Sequence, residues 1–167
     1  MTRSQFVFLR HNESFLTNRL AVKYPVLSIV IVPSPHILYM NIVLFDGFCN
    51  LCSSTVSFLI KHDTKNLLHF AAQQNQSGKD LMQAHGIKED NNSVLFIKKD
   101  KVYFKSDAII EITKHLSGWP QILKYSYIFP SFIRNGIYDI IAKNRYQIFG
   151  KKSTCFIPTE LTQKKFL

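Results

Sequence analysis

The chain predicts an α/β domain in three layers: a mixed four-stranded sheet flanked by helices, with extra helices toward the C-terminus. Three observations carry this. Short apolar runs alternate with helical stripes from Met40 onward. A helix separates the first two runs, so they pair in parallel through a crossover. The last two runs follow each other across a polar turn and read as an antiparallel hairpin.

The elements follow in order. Residues 42–45 are a short apolar run closed by Asp46-Gly47, as expected of a buried strand. A helix follows, with Cys52, Val56, Leu59 and Ile60 on one apolar stripe and Ser53, Ser54 and Ser57 largely off it. Residues 67–72 form the second strand. A short helix over 79–85 stops at Gly86, a C′ glycine. Residues 93–97 and 102–105 make the hairpin across Lys98-Lys99-Asp100-Lys101. Ser106 caps a helix carrying Ile109, Ile112 and Leu116, with Asp107 favourable in its first turn. More helix is expected after Gly118-Trp119-Pro120, and Trp119 with Tyr125, Tyr127 and Phe129 reads as a core or capping cluster. Pro130-Ser131 introduces a last helix with Ile133, Ile137, Ile140 and Ile141 on one face. The order β-α-β-α-β-β-α plus further helices is the thioredoxin arrangement.

At 167 residues the chain suits one domain with a sizeable core, and 46% hydrophobic residues with 19% charged exclude a disordered profile. Residues 1–39 stand apart as an N-terminal extension, acid-poor and Arg-containing, and closed by the Pro-broken run Pro33-Ser34-Pro35. They read as an over-long start with Met40 the working initiator, or as a targeting segment. The domain is expected over 40–158, with 159–167 a tail. No apolar run approaches the roughly 18 residues of a membrane span. The expected location is the cytoplasm, or an organelle if the extension is a targeting segment. A formal charge of +10 favours acidic protein partners or anionic membrane surfaces. No nucleic-acid motif accompanies it, so no specific nucleic acid is expected.

The chemistry concentrates at Cys49-Asn50-Leu51-Cys52, where the first strand hands over to the first helix. A cysteine at a helix N-terminus meets unsatisfied N–H groups and the positive end of the dipole, which favour a thiolate. Two intervening residues let the second sulfur reach back one turn. Cys49 is therefore the expected nucleophile and Cys52 the resolving thiol. Asp46, three residues before Cys49, can exchange a proton with either thiol, repel a charge on Cys49, or simply make the Asp-Gly turn. The competing readings of the pair are a zinc site, for which the six histidines show no paired spacing, and two cysteines packed as small hydrophobes. Neither metal nor cofactor is expected. Cys155 reads as an apolar residue or as a third redox centre. Residues 144–152 form either a docking lip for an acidic partner or a helix end whose cations complement the dipole.

The segment Leu44-Phe45-Asp46-Gly47-Phe48-Cys49-Asn50-Leu51-Cys52 resembles the signature of the DCC family of predicted thiol–disulfide oxidoreductases. The similarity continues through Ile60-Lys61-His62-Asp63, Phe70-Ala71-Ala72 and Ser106-Asp107-Ala108. It closes with Tyr138, Ala142-Lys143-Asn144-Arg145-Tyr146 and Phe149-Gly150, with Cys155 after them, and so covers about 41–158. The resemblance implies a thioredoxin-like fold and a redox role, with Asp46, Cys49 and Cys52 carried over and a thiol or disulfide, protein or small molecule, as substrate. The alternative is an interaction module that keeps the fold and binds an acidic partner through its basic surface. Ordinary thioredoxins carry a cis-proline before the third strand, and the corresponding Asp90-Asn91-Asn92-Ser93-Val94 has no proline.

Overall fold

A computed structural model describes residues 40–88 and 93–167. The N-terminal extension and positions 90–92 of the proline-less stretch lie outside the described residues. The elements run β1 (Asn41–Phe45), α1 (Asn50–His62), β2 (Leu68–Ala72), α2 (Gln76–Ala84), β3 (Leu95–Lys98), β4 (Lys101–Phe104) and α3 (Lys105–Thr113). A 3-10 segment (Trp119–Ile128), the long α4 (Ser131–Phe149) and a short 3-10 turn (Gln163–Lys165) follow. The sheet order is β2-β1-β3-β4, with β1 parallel to β2 and antiparallel to β3. This is a thioredoxin-like fold.

Strand β1 is the centre of the molecule, and its period-2 alternation builds both cores. Val43 and Phe45 face one side, packing with Val56 and Leu59 of α1 and with Ala108 and Ile112 of α3. Ile42 and Leu44 face the other, against Leu81 and Met82 of α2. A strand covered on both faces has no polar side to present, which is why 42–45 is uniformly apolar.

Several local expectations hold. Gly86 takes φ +63 after α2, and the Ile87 N–H donates to the Met82 carbonyl at 2.8 Å, closing the helix as a glycine C-cap does. The hairpin turn is tighter than the sequence suggests. Lys98 pairs with Lys101, leaving Lys99 and Asp100 at φ 48 and 63, the two positive values that match strand twist in a two-residue turn.

Three other expectations are corrected. Phe104, not Ser106, is the N-cap of α3, with no side-chain cap bond. The Ser106 hydroxyl instead donates to Asn135 Oδ1 at 2.6 Å and ties α3 to α4. Ser53 is buried at 4% exposure, so the inward face of α1 is wider than its apolar stripe. The aromatic cluster after Gly118 is not core. In a 3-10 helix of three residues per turn, i and i+3 align. Trp119, Ile122, Tyr125 and Ile128 therefore share one outward face, with Trp119 67% exposed. Its ring packs edge-on against Phe58 and His62 of α1.

The last residues lie against β2. The Leu167 N–H donates to the Phe70 carbonyl at 3.0 Å, and Lys165 Nζ reaches Asp63 Oδ2 at 2.7 Å. Among the described residues no helix is long and apolar enough to cross a membrane.

Candidate functional site

The site forms at the C-terminal edge of β1. Cys49 is the N-cap of α1, with extended backbone (φ −85, ψ 124), and its Sγ accepts from the Cys52 N–H at 3.3 Å. The sequence places a thiol where serine or aspartate usually caps a helix, and the sulfur takes the same backbone donor. Cys49 is fully buried and Cys52 is 8% exposed; both are free thiols. Burial pushes the Cys52 thiol up to about 12, with the hydrogen bond and charge of Cys49 adding to it and Arg145 opposing. Cys52 therefore keeps its proton near neutral pH.

The chain after α4 folds back over this junction. The Asn50 N–H donates to the Gly150 carbonyl at 3.4 Å, Lys152 N–H to Phe48 at 2.8 Å and Phe156 N–H to Gly47 at 2.9 Å. Cys49 itself pairs with Lys151 as an isolated bridge. Gly47 is required here by close approach: a Cβ on it would collide with Cys155 Sγ. Cys155 is half-buried, and burial raises its thiol.

Asp46 is buried at 2% exposure and makes more than a turn. Its Oδ1 accepts from Phe48 N–H at 3.0 Å and from Gln74 Nε2 at 2.8 Å. Its Oδ2 accepts from Arg145 Nη2 at 2.8 Å and from the Tyr146 hydroxyl. Burial, reinforced by Asp46, raises the Tyr146 phenol against the pull of Arg145, so the hydroxyl stays a donor.

The structure thus brings together all three residues singled out from sequence, Asp46, Cys49 and Cys52, and adds Gln74, Arg145 and Tyr146. The docking-lip reading of 144–152 is corrected at Arg145, which is 4% exposed and turned inward to Asp46. The helix-end reading fails as well, since the last turn of α4 carries no basic residue. A cation buried on a helix otherwise rich in exposed residues was hidden among the scattered lysines and arginines. Its one signal was Asn144-Arg145-Tyr146, a block of the family resemblance. Among the described residues, no three His, Cys, Asp or Glu side chains gather as metal ligands.

A thioredoxin-like sheet with two thiols one helical turn apart at the first helix N-terminus defines the class of thiol–disulfide oxidoreductases. Residues 43–151 match the family described as DCC1-like thiol-disulfide oxidoreductase, and the chain belongs to that family. It is 39% identical to "Uncharacterized protein YuxK" of Bacillus subtilis (strain 168), over 76% of this chain and 93% of that one. It is 37% identical to "DCC family protein At1g52590, chloroplastic" of Arabidopsis thaliana, over 68% of this chain and 67% of that one. No solved structure matches the chain.

Proposed function

We propose that this protein exchanges disulfides through Cys49 and Cys52, with Cys49 the nucleophilic sulfur, Cys52 its thiol partner and Asp46 assisting proton movement. The observation that carries the reading is the Cys52 N–H bonded to Cys49 Sγ at the N-cap of α1. A thiolate needs such a donor, and a pair packed merely as small hydrophobes does not. Asp46 is held by four donors, so its carboxylate keeps one position beside the thiols, and Arg145 and Tyr146 act as positioning residues. The substrate is a thiol or disulfide. The working unit is the domain from Met40 onward, in a reducing compartment. The cytoplasm is the first choice, and the chloroplastic label in the Arabidopsis relative's name supports an organelle as the second.

The test is a graded redox titration of the full chain, read by alkylation and intact mass. A reversible two-electron change confined to Cys49 and Cys52 supports exchange. If Cys49→Ser folds and the wild-type thiols stay reduced throughout, exchange is ruled out and the interaction module becomes the working hypothesis.

A further inference from the structure

Beside the thiol pair lies an apolar cavity of about 320 Å³. Val56 and Leu59 of α1, with Ile112 and Leu116 from the α3 side, wall it, and Cys52 and Arg145 stand in its lining. This volume falls at the lower end of small-molecule sites, roughly 300–1,000 Å³. Cys49 lies outside the lining, is fully buried, and is overlaid by the backbone of 150–156. A molecule in the cavity therefore borders Cys52 and not Cys49, and meets apolar walls nearly everywhere else.

We infer that this cavity is the substrate site, that it takes a small thiol or disulfide with an apolar body, and that the mixed disulfide with substrate forms on Cys52. The inference rests on the exchange reading above and refines it: the bond to substrate moves from Cys49 to Cys52, and Cys49 acts as the nucleophile within the pair. With the pair oxidised, a substrate thiolate attacks Cys52 Sγ. A bond forms between the substrate sulfur and Cys52, the Cys49–Cys52 bond breaks, and the electron pair leaves on Cys49 Sγ, where the Cys52 N–H receives it. A second substrate thiol gives up its proton and attacks the bound substrate sulfur. Cys52 leaves and takes a proton, which its burial favours. One substrate thiolate and one substrate thiol become one disulfide, and the pair gains two electrons and one proton, the proton on Cys52 and the charge on Cys49. In reverse, Cys52 loses its proton and attacks the substrate disulfide, and one substrate thiol leaves. Cys49 then attacks Cys52 Sγ and releases the second substrate thiolate, so Cys49 is the nucleophile within the pair.

Cys49→Ser removes that nucleophile and traps the adduct. The full-length variant is treated separately with dipropyl disulfide and oxidised glutathione. Intact mass and peptide mapping follow the products, and each rate is divided by that of a free thiol in solution. The expected product is a propylthio adduct on Cys52, forming at least about 10-fold faster, after normalisation, than the charged glutathione adduct, because only the propyl chain gains from apolar burial. Adding Ile141→Trp, at a lining residue that is 45% exposed, should fill the cavity and slow the propyl reaction. The contrast between the two disulfides does not depend on that variant folding. Equal normalised rates overturn the inference but leave exchange standing. So does an adduct on Cys49 of Cys52→Ser with none on Cys52 of Cys49→Ser. A wild-type pair that never interconverts between dithiol and disulfide overturns the exchange reading itself.

Discussion

Arg145 Nη2 donates to Asp46 Oδ2 over 2.8 Å, although 99 residues separate the two in sequence. The contact joins the end of β1 to α4, and both residues line the cavity beside Cys52. Both side chains are almost wholly buried, at 4% and 2% exposure. Burying such a pair costs desolvation, offset only when the remaining lone pairs and protons find partners. Asp46 meets that condition through Phe48, Gln74 and Tyr146.

Removing one partner of this pair should cost far more than a surface ion pair does. Arg145→Met should lower stability by about 3–5 kcal/mol, because an unpaired carboxylate is left inside. Urea denaturation measures it. Arg145→Met combined with Asp46→Asn should lose less than the sum of the two single changes. A single-variant loss near zero would mean that water reaches the carboxylate.

The Cys52 thiol, pushed up to about 12 by burial and then by Cys49, should resist alkylation in the native state across pH 6–9. Its labelling should rise only in alkali, as the thiol loses its proton. Rapid iodoacetamide labelling of Cys52 in the Cys49→Ser variant near neutral pH, with the fold intact, would show that burial does not suppress its ionisation.

Asp63 offers an acid-side prediction. Burial works to raise its carboxyl, but donors from Lys165, Leu67 and Leu68 outweigh this and hold it below the ordinary carboxylate value. A folded value below the unfolded one adds stability above the unfolded value of about 3.9, and this is lost as pH falls through the lowered folded value. Lys165→Met should therefore lower the melting temperature at pH 7 and flatten its fall below about pH 4. An unchanged acid limb would separate Lys165 from the effect.

Gly47→Ala should destabilise the site, since the added Cβ meets Cys155 Sγ and packs closely on Ala72 Cβ at 3.2 Å. Overpacking of this kind typically costs about 1–3 kcal/mol. Cys155→Ala removes the colliding sulfur, so the double variant should recover part of the loss. Strict additivity in a thermal-melt cycle would place the strain elsewhere.

A chain beginning at Met40 should melt within a few degrees of the full chain, if 1–39 lies outside the folding unit as the sequence reading expects. A marked drop would assign the extension a packing role.

Much of the fold was legible because its signals are local. The uniform apolar run at 42–45, the stripe of α1 and the glycine after α2 each answer to neighbours within a turn or a strand. The stretch from Trp119 to Ile128 was misread because aromatic content suggests burial, whereas the three-residue period of a 3-10 helix turns Trp119, Ile122 and Tyr125 outward together. Ser106 was misread for a similar reason. Its hydroxyl had a local use as a cap, and a partner on another helix took it instead.

The sequence by itself determined the pair. Cys49 and Cys52 lie one helical turn apart at a strand-to-helix junction, and that spacing alone brings the Cys52 N–H to the Cys49 sulfur. What surrounds the pair was decided only by the tertiary structure. Arg145 reaches Asp46, the chain beyond α4 covers Cys49, and Cys52 is left as the wall of an apolar cavity. Those contacts span about a hundred residues. No propensity or period encodes them, because they exist only once the sheet and helices have closed around one core.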